Sequence, residues 1–159
     1  MHPSILHAVQ IQNLQSRLFL RALEGVTDAE ARRPTSEHTN PLAWIAGHLV
    51  TTRCYLARVV GLPREIPWGG MFARGAALEP TQAAPSLEEI RAAWDDVTGA
   101  LMARFEQLGE AELSGPVADF PSLDRTVRGA LAMAAMHDSY HVGQLSLVRK
   151  ALGHERLVG

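Results

Sequence analysis

The sequence predicts an all-α protein, a four-helix bundle with long crossover connections, built as a single domain over residues 1–159. Four long segments repeat apolar residues at helical spacing, and cap residues mark where they begin or end. No strand-like alternation of useful length interrupts them, and there is no internal repeat or low-complexity segment. A chain of 159 residues is long enough to bury one good core.

The first segment runs from about Ser4 to Glu24, with Ser4 as an N-cap and Gly25 as a stop. His7, Ile11, Leu14 and Leu18 share one face, which is expected to point inward. Thr27-Asp28-Ala29-Glu30 has the capping-box pattern for one further helical turn before Pro34. Asn40-Pro41 opens the second long helix: asparagine caps free amides, and proline at the first helical position loses no hydrogen bond. Ile45, His48, Thr52, Tyr55 and Val59 then repeat on a face expected to look inward, up to Gly61-Leu62-Pro63. The stretch from Gly61 to Pro85 holds Pro63, Pro67, Gly69, Gly70, Gly75 and Pro80 and keeps neither period. A connection of that length is commonly functional, and Trp68, Met71 and Phe72 are apolar enough to fold back over something.

Ser86-Leu87-Glu88-Glu89 is a second capping box. It starts a third helix that runs to about Leu108 with Ile90, Trp94, Val97, Leu101 and Phe105 inside. Gly109 to Asp124 reads as irregular. The fourth helix extends from about Asp124 or Arg125 to Leu152, and Gly153 stops it. Its inward stripe is Val127, Leu131, Ala134, Asp138, His141, Leu145, Val148 and Leu152.

Charge and composition exclude several classes. A net charge of -2 with interspersed signs gives no field that would gather nucleic acid. No apolar run reaches the ~20 residues that cross a bilayer. The start, Met1-His2-Pro3, is not followed by a signal peptide's basic and apolar regions, so the expectation is a cytoplasmic protein. A single cysteine, Cys54, forms no internal disulfide and suits a reducing compartment. It lies roughly 120° round the helix from His48, away from any site there.

The chemistry concentrates in Met136-His137-Asp138-Ser139-Tyr140-His141-Val142-Gly143-Gln144. Histidines four apart on a helix lie about one turn apart on the same side, where both imidazoles can reach one ion. Charging two crowded histidines on an apolar face is costly, whereas a metal takes them neutral. His48, inward on another long helix, supplies a third nitrogen. The expected site is therefore one divalent metal ion on His48, His137 and His141, with open positions as in catalytic sites. Three nitrogens suit zinc, nickel, copper or iron.

Asp138 makes an H-D-x-x-H run, similar to the zinc-protease H-E-x-x-H in which the carboxylate is a general base. Aspartate is shorter by one methylene and no clear downstream ligand helix follows, which argues against a protease. Asp138 is a weak catalytic candidate; it could instead accept a ring N–H from a ligating histidine, or bond a neighbouring helix. The two Glu-x-x-His motifs of di-iron bundles are not present. His7, expected inward near a terminus, and His38, in the loop before the second helix, are weaker ligand candidates. Tyr140 and Gln144 could line a pocket mouth or pack between helices. Met133 and Met136 read as core, Trp44 as a packing anchor, Trp68 as pocket or lid, and Gly47 and Gly143 as points of close helix approach.

Ile45-Ala46-Gly47-His48-Leu49, followed far downstream by His137-Asp138-Ser139-Tyr140-His141-Val142-Gly143-Gln144-Leu145, resembles the DinB family of DinB/YfiT-like metalloenzymes. The resemblance spans nearly the whole chain, from Asn40-Pro41 through Thr126-Val127 to Leu152-Gly153. It implies a four-helix bundle with a long crossover, in which His48, His137 and His141 bind one divalent ion, nickel, zinc or iron, with waters in the open positions. It also implies thiol-dependent transferase or isomerase chemistry on a small-molecule thiol and an electrophile, and a homodimer. Thiol S-transfer leads and metal-dependent hydrolysis follows; the rival is a non-catalytic, stress-associated bundle whose metal only braces the fold.

Overall fold

Capping chemistry sets the helix boundaries in the computed structural model, which describes residues 1–65, 68–73, 75–76 and 84–158. A 3-10 turn, Pro3–Ile5, leads into α1, Leu6–Leu23. His2 caps the turn, its ring nitrogen accepting from the Ser4 amide, and α1 itself has no side-chain cap where Ser4 is expected to supply one. Gly25, at φ 71°, takes the left-handed conformation just past the end of α1. Thr27 and Glu30 close a capping box on the short α2, Asp28–Arg32. The next helix, α3, spans Leu42–Val59 and has no side-chain cap; the Pro41 carbonyl receives the Trp44 and Ile45 amides. Asn40 is thus released from the capping role its type predicts.

A 3-10 turn over Gly69–Phe72 interrupts the long connection. Pro67 and Pro80 lie outside the described residues. Ser86 and Glu89 cap α4, Leu87–Phe105, as their spacing predicts. The stretch read as irregular contains a short helix, α5, Glu110–Leu113. The last helix, α6, Val127–Ala151, starts slightly later than expected because Thr126 is its cap, accepting from the Gly129 amide at 3.1 Å. Asp124 serves that cap instead of belonging to the helix, holding the Thr126 amide at 3.0 Å. Among the described residues there is no strand, only an isolated antiparallel bridge between Pro116 and Thr126.

In the bundle α6 packs against both α1 and α3, and α4 packs mainly against α3 and less against α1. Consecutive long helices α1 and α3 therefore occupy opposite corners, as do α4 and α6. The links after α1 and α4 are the crossovers. Ile90, Trp94, Val97, Leu101 and Phe105 of α4 are all fully buried, and Phe19 of α1 stacks on Trp94 with centroids 3.9 Å apart. Each such side chain contributes about 1.5–3 kcal/mol through burial. No helix of the described residues is long and apolar enough to cross a membrane.

Three helices differ from expectation in what they bury. On α1 the buried set is Val9, Gln12, Phe19, Ala22 and Leu23, while His7, Ile11 and Leu14 are exposed. The inward stripe includes the polar Gln12, which a purely apolar pattern passes over. Met136, read as core, is 56% exposed on the outer side of α6. On α3 almost every other side is buried, and it is the His48, Thr52 and Tyr55 face that opens to a cleft.

Candidate metal centre

The α3 and α6 helices bring His48, His137 and His141 together, each half-buried, with one ring nitrogen from each lying within 4.8 Å of the others. His48 comes from α3, whose register places it opposite the one-turn histidine pair of α6. The ring centroids are 4.4 Å apart for His137 and His141, 5.1 Å for His48 and His137, and 4.8 Å for His48 and His141.

Hydrogen bonds at the back of two rings decide which nitrogen looks inward. His48 Nδ1–H donates to the Phe72 carbonyl at 2.8 Å, so in the neutral ring Nε2 carries the lone pair. Trp44 stacks flat on that ring, centroids 4.9 Å apart and planes 9° from parallel. His141 Nδ1–H donates to Gln144 Oε1 at 2.6 Å, and the Gln144 amide in turn donates to the Tyr140 hydroxyl at 3.2 Å. Nε2 of His141 is likewise left free. His137 completes the group through Nε2, 3.2 Å from Nε2 of His48.

That spacing fits a shared ion. Two nitrogens bound at about 2.0–2.1 Å in a tetrahedral shell stand roughly 3.3–3.4 Å apart. Nδ1 of His137 is buried without a hydrogen-bond partner, and Asp138 Oδ1 is 4.0 Å from it. Burial, reinforced by the charge of His137, lowers the pKa of His141 to about 4. Burial also lowers that of His48, against the Phe72 hydrogen bond. Both rings are therefore neutral at neutral pH, the form in which histidine binds metals. The residues fit a divalent ion held by three imidazoles.

A cleft of about 920 Å³ opens onto the three rings. Its walls combine aromatic surface from Trp44, Tyr55, Phe120 and Tyr140 with the neutral polar groups of Asn40, Thr51, Thr52 and Gln144. Tyr140 and Gln144 thus stand at the cleft, the first of the two positions open for them. Phe72 and Ala73 form part of another wall, whereas Trp68 packs edge-on against Phe72 at 5.9 Å and does not line the cleft. Thr52 and Tyr55 follow His48 at helical spacing, a signal that could have marked them as cleft residues. Asp119, Phe120 and Pro121 carried no such signal, because only the crossover after α4 brings them there.

Asp138 faces away from the cleft. It is 1% exposed and accepts from Arg53 of α3, 2.8 Å from Nη2 and 3.2 Å from Nε. Of its possible roles the structure thus shows the bond to a neighbouring helix, and 4.0 Å to His137 Nδ1 is too long for a hydrogen bond. His7 bonds Gln10 at 3.3 Å on the exposed side of α1, and His38 is exposed in its loop. Neither belongs to the three-histidine group. Cys54 is buried, and burial raises its thiol pKa to about 11, the state of an unreactive structural cysteine. Arg53 is the residue that the sequence reading passed over.

Comparison with curated protein sequences returns no match. A solved structure, the conserved protein of a locus from Enterococcus faecalis, superposes with a TM-score of 0.70. The match covers 96% of this chain and 98% of that one at 16% identity, a likeness that shows the fold. The family model of the DinB superfamily matches residues 13–145, which include all three histidines, and the chain belongs to that superfamily.

Proposed function

We propose that His48, His137 and His141 hold one divalent ion, nickel, zinc or iron, and that the protein is an enzyme transferring a small thiol to an electrophile. The observation that carries the reading is the inward aim of the ring nitrogens at the floor of an open cleft. A closed structural site would use four protein ligands, whereas three leave room for a ligand from the cleft. When bound, a divalent ion supplies Lewis acidity that lowers the pKa of a thiol or water beside it.

The chain's own residues do the rest. Phe72 O and Gln144 fix the tautomers of two histidines, Trp44 shields one ring, and the aromatic walls exclude water from an apolar electrophile. A free alkyl thiol is only a few per cent ionised at neutral pH, so stabilising its anion raises the reactive fraction by about an order of magnitude. Among the described residues no carboxylate belongs to the three-ring group, and Asp119 is the carboxylate on the cleft wall. A thiol is far more acidic than water and gives its anion more readily without a dedicated base, which favours sulfur.

Cobalt substitution tests the reading. Thiolate ligation adds a near-ultraviolet charge-transfer band, which is expected with 2-mercaptoethanol or a cellular low-molecular-weight thiol and lost in His141→Ala. A cobalt spectrum that responds to pH but to no thiol replaces transfer with hydrolysis. One that responds to neither leaves a metal-braced bundle.

A homodimer is proposed on the family resemblance. The surface it would cover is the outer seam of α1 and α6, where Ile11 and Met136 flank a shallow groove floored by Ala8, Ala132 and Ala135. Leu147, 71% exposed, lies about three turns further along the same side of α6. The set carries no charge, so two copies of it meet without repulsion.

A further inference from the structure

The 3-10 turn Gly69–Phe72 is separated in sequence from the histidines, yet it is fastened to α3 at two adjacent residues, Gly47 and His48. The Phe72 side chain is completely buried. Its ring lies so close over Gly47 that a Cβ there would meet three ring carbons at 2.6–2.7 Å, well inside van der Waals contact. One residue further along α3, His48 Nδ1–H donates to the backbone carbonyl of the same Phe72 at 2.8 Å. The side chain thus seats the turn and the main chain holds the ligand. Gly47, expected to admit a neighbouring helix, admits this ring instead.

We propose that Gly47 and Phe72 are positioning residues of the metal centre: the ring, seated on Gly47, places the Phe72 carbonyl where it keeps Nε2 of His48 aimed at His137 and His141. This rests on the three-histidine reading above. It assigns a reason for glycine at position 47, since the three heavy atoms nearest the missing Cβ all belong to that ring and none to a neighbouring helix. Without the carbonyl, His48 is free to exchange tautomers and rotate about its side-chain bonds, and binding an ion must first undo that freedom. The same turn also forms part of the cleft wall, so ion and cleft ligand are held by one element.

The test is zinc affinity, measured on the full chain by competition with a chromophoric chelator, alongside the melting temperature of the zinc-free protein. Gly47→Ala and Phe72→Ala should each weaken zinc binding by about 10–100-fold, the range for loss of a ligand's outer hydrogen bond. Because both break one seat, the double variant should be no weaker than the weaker single, within about 3-fold. The melting temperature separates this from packing alone. If the variants lower it but keep zinc affinity within about 2-fold of wild type, the proposal is overturned. Penalties that multiply in the double variant overturn it as well. Should Gly47→Ala fail to fold, Phe72→Ala, which leaves all four long helices intact, decides on the affinity alone. Wild type that binds no zinc, with His48→Ala indistinguishable from it, would instead overturn the three-histidine reading and this proposal with it.

Discussion

Arg53 and His48 share α3, and each is the α3 member of a polar cluster that draws on α6. The Arg53 cluster is closed. Nε and Nη2 bond Asp138, Nη1 donates to Ser16 and Thr98, Nη2 also reaches the Gln12 carbonyl, and Trp94 lies 3.7 Å beneath the guanidinium. Every nitrogen has a protein acceptor, both charges are compensated, and the pair is about 1% exposed. The histidine cluster is open. Its outward nitrogens on His48 and His141 are satisfied, its inward nitrogens face one another, and a cleft leads to them. Adjacent residues of one helix, His137 and Asp138, belong to opposite kinds of site. Burying polar groups is tolerated only when they are paired, and what marks a ligand site is the pairing the protein itself leaves unmade.

The comparison breaks most readily at Asp138. Asp138→Ala leaves Arg53 buried without its counter-charge, and denaturant unfolding should show a loss of about 3–5 kcal/mol. Replacing both partners, Arg53→Met with Asp138→Leu, should cost less than that single change. A single-variant loss below about 1 kcal/mol would mean that water reaches the pair and the cluster is not closed.

Metal removal probes the open cluster. An ion that binds only the folded chain stabilises it by about 2.7 kcal/mol at a free concentration 100 times its dissociation constant. For a chain of this size that corresponds to roughly 5–10 °C of melting temperature. Chelator should therefore lower the wild-type transition by that amount, and His137→Ala should abolish the response. An unchanged wild-type curve counts against the site.

Acid should distinguish the clusters more gently. His141 titrates near 4 in the folded protein against an ordinary 6.5, so the unfolded chain binds more protons between those values. Stability of the metal-free protein is then complete above about pH 6.5 and falls as the pH drops toward about 4, with His48 acting in the same direction. His141→Gln should flatten this slope. A wild-type stability that is level across the window contradicts the burial assigned to the rings.

The smallest effect is expected at the outer seam. Met136→Glu should convert a dimer to a monomer in light scattering while changing folding stability of the monomer by no more than about 0.5 kcal/mol. A monomer mass for the wild type across the micromolar range removes the dimer.

Periodicity was enough to find the four long helices, though not the short α5, and caps marked some of their ends but not the starts of α1 and α3. Ile90 through Phe105 on α4 and Val127 through Val148 on α6 announce their buried faces, and Thr27, Ser86 and Gly153 announce their ends, because these effects act within one or two turns. The i,i+4 histidines are equally local. What lay beyond the sequence was non-local. Gln12 is buried on α1 where Ile11 and Leu14 are not, since Gln12 meets the Leu131 carbonyl of α6 and its own carbonyl meets Arg53. Asp138 left several roles open until Arg53 stood opposite it. Nor could Gly47 announce the Phe72 ring, which reaches it only across the long connection after α3. Local sequence settles the backbone hydrogen bonding of a long helix, but which side is buried, as on α1, and the partner of a buried polar group are chosen by the neighbours that packing brings to it.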